Sequence, residues 1–318
     1  MAGGRAEEGV LVLAYGTPRG PDEVEAYYTD IRRGRPPTPE QLADLVRRYH
    51  AIGGVSPLRA RTEAQRAGLD AALAELEPGR FRVVAGFKHA RPSIEDAVDE
   101  LADAGVAAMT AVVLAPHYSA LSVGGYLARA GDRAGERGVA FGAVESWHLD
   151  GAYVRFLAAA VAEGVEALPS RTACLFTAHS LPARILDTGD PYPAQLRETA
   201  AAVASVVGLP EAVGDGPGWR TGWQSAGRTP EPWLGPDLGT LVRDLAAGGA
   251  VDGILVIPCG FVADHLEVLY DVDIEARRVA AEAGLAFART PVVNADQAVL
   301  AGLAARVRAA ADAVAVGR

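Results

Sequence analysis

Lysine is almost missing from this chain: Lys88 is the single lysine among thirty basic residues, and every other strong cation is an arginine. Cysteine is nearly as scarce. Cys174 and Cys259 stand far apart, too few for a disulfide framework and too few for a four-thiolate cluster, so no iron–sulfur centre is expected and a reducing cytoplasm fits. There is no basic excess either, since 30 Lys and Arg face 40 Asp and Glu for a net charge of -10. That balance excludes nonspecific nucleic-acid binding, and it means that an anionic ligand needs a local basic patch. The start, MAGGRAEEGV, has no apolar signal core. The uncharged stretch 104–128 contains Pro116, His117, Ser119 and Ser122 and divides into strand, loop and helix, so no integral membrane segment is expected. Nucleotide fingerprints are missing too. The first apolar run is followed by Gly16-Thr17-Pro18-Arg19-Gly20 rather than G-x-G-x-x-G, and neither G-x-x-x-x-G-K-[ST] nor G-x-S-x-G occurs. Dehydrogenase, P-loop and serine-hydrolase readings lose their support.

What is present is an alternation of short apolar runs with longer amphipathic segments. GVLVLAY (9–15), RVVAGF (82–87), MTAVVLAP (109–116), VAFGAVES (139–146), TACLFTA (172–178) and GILVIP (253–258) read as buried strands. Segments such as PSIEDAVDELADAG from Pro92 read as helices. This rhythm predicts an α/β protein with parallel sheets and helices on both faces. The length of 318 residues suits two similar α/β halves, 1–150 and 151–318, with the last helix, from about Ala295, packing back on the first half. The segment 214–222, GDGPGWRTG, reads as a surface loop.

In open parallel sheets, ligands bind beyond the carboxyl ends of the strands, so the polar residues there are the first candidates. They are Tyr15, His89, His117, His179 and the segment CGFVADHLE. His179 in FTAHSLP is either a satisfied loop histidine or a group that accepts a proton or holds a metal. Glu267, Asp271 and Glu275 recur every four residues near His265; on an α-helix they drift slowly around one face and span about 12 Å. Such a row reads either as a solvated face with Arg277 and Arg278 nearby, or as a path for a hard cation such as Mg²⁺, Ca²⁺ or Fe²⁺. Two arginine groups, Arg32, Arg33 and Arg35 and then Arg47 and Arg48 beside Tyr49, precede Ser56 in GGVSPL. They either complement two helix C-termini or converge on the carboxylates of a ligand.

Taken together, AYGTP, YYTDIRRGRPP, RYHAIGGVSPL, GFKHARPSIEDAV, LAPHYSALSVGGY, ESWH, FTAHSLP, GDPYPAQL, GWQSAGRTPEPWLGPDL and VIPCGFVADHLEVLYDVDIEA resemble the ferrochelatase family over nearly the whole chain, closest to its soluble Gram-positive branch acting on coproporphyrin III. The resemblance implies a chelatase fold of two Rossmann-like doubly wound domains with the porphyrin in a cleft between them. It implies Fe²⁺ insertion as a step of haem biosynthesis, with His179 and Glu267 as the catalytic, metal-handling pair and Tyr15 as axial ligand of the product iron. By the same resemblance Arg32, Arg48, Tyr49, Ser56 and Tyr126 hold the porphyrin, and Glu267, Asp271 and Glu275 form an acidic ladder for metal delivery, with Mg²⁺ or another divalent cation as a further occupant. No permanent cofactor is implied; the partners are coproporphyrin III, Fe²⁺ and a coproheme decarboxylase that receives the product, and the protein is expected to act as a cytoplasmic monomer. Rival readings are a protoporphyrin IX ferrochelatase, a cobalt or nickel chelatase on another tetrapyrrole, and a non-catalytic porphyrin or haem carrier.

Overall fold

The structure, a computed structural model, describes residues 7–227 and 229–316. Its elements in chain order begin β1 (Glu8–Ala14), α1 (Val24–Ile31), α2 (Pro39–Ala51), α3 (Leu58–Leu76), β2 (Phe81–Phe87), α4 (Ile94–Asp103), β3 (Ala108–Val113), α5 (Val123–Glu136) and β4 (Ala140–Val144). They continue with α6 (Gly151–Glu166), β5 (Thr172–His179), α7 (Tyr192–Val207), β6 (Gly218–Gln224), α8 (Leu238–Gly248), β7 (Gly253–Ile257), α9 (Leu266–Leu269), α10 (Arg277–Glu282), β8 (Ala286–Arg289) and α11 (Gln297–Val316). The six apolar runs of the sequence all become strands. Two further strands had no such run: β6, which takes up 218–222 of the expected loop, and the four-residue β8.

The chain forms two compact units. One holds the chain up to Ala115, Ser122–Trp147 and everything from Asn294 onward; the other holds Pro116–Leu121 and His148–Val293. Each is built on a four-stranded, wholly parallel sheet, ordered β2-β1-β3-β4 in the first and β6-β5-β7-β8 in the second. The order is the same in both: the first and third strands of the set lie side by side, and the second flanks the first. Connections leave that central pair in opposite directions, which makes the gap between β1 and β3, and between β5 and β7, a topological switch point.

In the first unit Val10, Leu11, Val12 and Leu13 of β1 are all 0% exposed, as a central strand covered on both faces requires. Each such aliphatic side chain contributes roughly 1.5–3 kcal/mol by leaving water. Helix α4 shows how locally the sequence dictates its part. Ser93 and Asp96 close a capping box, and Ile94, Ala97, Val98 and Leu101 bury one stripe. Helix α11 packs on α3, β3 and β4, and it comes so close to β4 that a side chain at Gly142 would meet Val314 at 2.2 Å. Arg80, 4% exposed, ties the start of β1 to this last helix through Glu8 (3.2 Å) and Asp312 (2.6 Å).

In the second unit β5 is buried along Ala173–Ala178, and one face of β5 and β7 packs on Leu238, Leu241, Val242 and Leu245 of α8 and on Val272, Ala276, Val279 and Ala280. Among the described residues no helix is long and apolar enough to cross a membrane.

Candidate active site

At the switch point of the first unit, β1 ends and the chain turns sharply. Gly16 has φ +92°, and a side chain there would meet the Ala90 Cβ at 2.7 Å, so only glycine lets the loop lie against the segment after β2. The turn leaves Tyr15 41% exposed, with its ring 4.7 Å from that of His89, whose Nδ1 lies 2.6 Å from Asp30. Helices α1 and α2 fasten to the same loop. The Tyr27 hydroxyl donates to the Gly16 carbonyl (3.2 Å), and the Tyr49 and Thr17 hydroxyls lie 3.4 Å apart. Tyr49 is therefore largely buried, as is Ser56, whose hydroxyl accepts from the Leu58 amide at 3.2 Å. Arg48 sits 3.2 Å from Asp44, and Arg32, just past the end of α1, donates its Nε to the Arg35 carbonyl.

Tyr126 on α5 is buried beneath the Lys88 ammonium, 4.8 Å from its ring centre. Burial and then the charges of Arg129 and Arg33 push the lysine below its ordinary pKa. The lone lysine thus stands in a cationic neighbourhood, which the sequence did not announce because Lys88, Arg33 and Arg129 belong to three different segments.

The second unit collects the other candidates. His179 is the last residue of β5. Its Nδ1 faces the Ser180 carbonyl, and its Nε2 lies 3.6 Å from Glu267 Oε1. A carbonyl accepts only, so Nδ1 carries a proton; Nε2 then faces the carboxylate either as a lone pair or as the N–H of an imidazolium. On the other side of Glu267, His265 Nε2 lies 3.7 Å from Oε2. Burial alone would lower the His179 pKa, but the Glu267 carboxylate outweighs it and holds His179 above its ordinary value. Burial would likewise raise Glu267, yet His179 and His265 hold its carboxyl far below the usual carboxylate range. The carboxylate thus favours the protonated form of the imidazole, and the pair is still about a third exposed.

The acidic row does not sit on one regular α-helix. The single α-turn of α9 is followed by a π-helical turn, Asp271–Ala276, in which the Glu275 amide reaches back five residues to the Tyr270 carbonyl (2.9 Å). A π-turn takes up more residues than the 3.6 of an α-turn, so it offsets the drift of a four-residue repeat. The reason is visible on the buried side: Val268, Val272 and Ala276, also four apart, all stay in the core. Glu267, Asp271 and Glu275 precede them by one residue each. Arg277 and Arg278 are engaged elsewhere, with the Phe287 ring and Glu282. Arg289 pairs with Asp273 and Asp264, which lie off the row. Among the described residues no three His, Cys, Asp or Glu side chains are grouped to hold a resident metal ion.

Two residues beside the pair escaped sequence reasoning. Gln224 ends strand β6, and Ser225, just beyond it, adopts φ +59° and donates its hydroxyl to Asp271.

A family model for ferrochelatases matches residues 7–311. The chain is 43% identical to the coproporphyrin III ferrochelatase of Anoxybacillus flavithermus over 302 residues, covering 93% of this chain and 94% of that protein. It is 42% identical to that of Bacillus subtilis over 306 residues, covering 94% and 96%. Two structures of Bacillus subtilis SirB are similar in fold. One is the sirohydrochlorin chelatase SirB of subspecies spizizenii in complex with cobalt (TM-score 0.51, 11% identity, 96% of each chain covered). The other is SirB with Fe³⁺ (TM-score 0.54, 13% identity, 96% and 97% covered).

Proposed function

This chain belongs to the ferrochelatase family and is a metal chelatase, and from that premise we propose that it inserts Fe²⁺ into coproporphyrin III to give iron coproporphyrin, with His179 and Glu267 as the proton-handling pair. The observation that carries the proposal is the 3.6 Å approach of His179 Nε2 to Glu267 in a partly open pair at the carboxyl end of β5. Each Fe²⁺ that enters displaces two pyrrolic protons, so the site needs a base and an exit for what the base takes up. Imidazole accepts a proton on Nε2 while Nδ1 stays bonded to Ser180, and the carboxylate stabilises the resulting imidazolium and passes the proton outward. Asp271 and Glu275, in the π-turn that follows Glu267, extend a carboxylate path that suits Fe²⁺ on its way in, and Mg²⁺ or another hard divalent cation as a further occupant.

The first unit supplies the grip. Coproporphyrin III carries four carboxylates, and in an acidic chain Arg32 and Arg48, with Tyr49, Ser56 and Tyr126, hold it through charge-assisted and neutral hydrogen bonds. Tyr15, the exposed oxygen donor at the end of β1, is the axial ligand of the product iron. In this reading the protein works as a cytoplasmic monomer, takes no permanent cofactor, and hands its product to an enzyme that decarboxylates it.

The test is anaerobic. Purified protein receives Fe²⁺ with coproporphyrin III or protoporphyrin IX, and loss of the free-base absorption is followed. Turnover favouring coproporphyrin is the expected result. Preference for protoporphyrin overturns the substrate, and tight stoichiometric binding without turnover overturns the enzyme in favour of a carrier.

A further inference from the structure

Strand β6 ends beside the proton-handling pair, and its last residue has no part in the reaction above. Gln224 is directly opposite His179 in the β5–β6 register and is 3% exposed. Its amide is used at both ends. Oε1 accepts from the Thr177 hydroxyl at 2.8 Å, and Nε2 donates to the main-chain carbonyl of Glu267 at 3.1 Å. Its own main-chain carbonyl accepts from the Ser180 amide at 2.8 Å, one residue beyond His179. One residue therefore touches the backbone next to both members of the pair.

The need for such a brace follows from the shape of the neighbourhood. Helix α9 runs on through Tyr270 into the π-turn and α10, but its first turn has no preceding helical turn to hold it. Glu267 opens its first turn, so something outside the helix has to fix the carboxylate relative to the end of β5. The core anchors Val268 on the buried side; on the other, the Gln224 bond is a direct polar tie from the sheet to the Glu267 backbone. Because Thr177 fixes which way the amide faces, the position demands a donor toward Glu267 and an acceptor toward Thr177 at once. Glutamine provides both. Glutamate would set oxygen against the Glu267 carbonyl, and methionine would fill the volume while leaving both partners unmet.

We propose that Gln224 is a positioning residue that holds Glu267 at its working distance from His179. The proposal rests on the reading that these two are the proton-handling pair. A catalytic group displaced by about 1 Å can lose on the order of a hundredfold in rate. In the anaerobic assay with coproporphyrin III and Fe²⁺, Gln224→Met should therefore lower kcat by about tenfold or more. Gln224→Glu should lower it further, with KM and the dissociation constant for coproporphyrin unchanged in both. Thr177→Val, which removes the donor that orients the amide at nearly constant shape, should lower kcat in the same direction by less. This variant carries the test if the Gln224 variants do not fold. Wild-type kcat in the folded variants, or a rise in KM that accounts for the whole loss, overturns the positioning role. His179→Ala and Glu267→Gln run alongside: if these turn over normally, the catalytic pair is wrong and the inference falls with it. If they are inactive while the folded Gln224 and Thr177 variants are normal, only the positioning role is lost.

Discussion

At the carboxyl end of the first strand of each sheet the chain does something different, although the strand order is the same. Strand β1 runs out into an exposed phenol on a glycine-dependent turn, buttressed by the hydroxyls of α1 and α2, with arginines at the ends of those helices. Strand β5 runs out into an imidazole locked by its neighbour's carbonyl and paired with a carboxylate in the first turn of α9. The first arrangement offers cations and hydroxyls to an anionic ligand; the second offers a proton acceptor and a negative path. A duplicated topology fixes where a site lies, at the switch point, while the side chains after the strand fix which half of the chemistry each unit performs.

The sharpest way to break this division is at the second unit's base. His179→Ala should reduce turnover by about 10³-fold, in the range of a lost general base, while equilibrium titration shows coproporphyrin bound as in the wild type. The mirror experiment is Arg32→Ala with Arg48→Ala. Two charge-assisted bonds removed should raise the dissociation constant by about tenfold or more and leave the saturated rate near the wild-type value. A fall in kcat with unchanged affinity would mean that grip and chemistry are not divided between the units.

A third test concerns stability of the second unit alone. His117 is fully buried with Nε2 2.9 Å from the Thr199 hydroxyl, and burial, then the nearby His148, lowers its pKa to about 3. The unfolded chain binds a proton there near pH 6.5 and the folded chain does not. The contribution is thus present above about pH 6.5 and is lost as pH falls toward 3, at about 1.4 kcal/mol per unit. Relative to its value at pH 7, the stability of the wild type at pH 5 should drop by about 2 kcal/mol more than that of His117→Gln, measured by urea unfolding. Equal losses would mean that His117 titrates normally in the folded chain. The smallest effect is spectroscopic: Tyr15→Phe should shift the absorption bands of the iron product while leaving free-base binding as it was. An unchanged product spectrum removes Tyr15 as a ligand.

Much of this was legible in the sequence, and the exceptions have physical causes. Six strands were visible because buried parallel strands are continuous apolar runs, and Tyr15 and His179 were visible because they end two of them. Strand β6 was hidden because GWRTGWQ mixes glycine, arginine and tryptophan and follows a glycine-rich turn; β8 was hidden because four residues carry no period. Losing β6 also concealed Gln224, whose role depends on register with β5 rather than on any local pattern, and Ser225 just beyond it. The acidic repeat was legible but its backbone was not, since a spacing of four is compatible with a drifting α-helix and with the π-turn that offsets the drift.

The return of α11 to the first unit sets an order on biosynthesis. Pro116–Leu121 and His148–Val293 are all synthesised before Gln297–Val316, so the second unit has its full complement of residues first. The first unit, whose β1 is translated earlier still, stays without the helix that covers Gly142 and meets Arg80 until Gln297–Val316 has been made. The nascent chain therefore completes the half proposed to handle protons before the half proposed to grip the porphyrin.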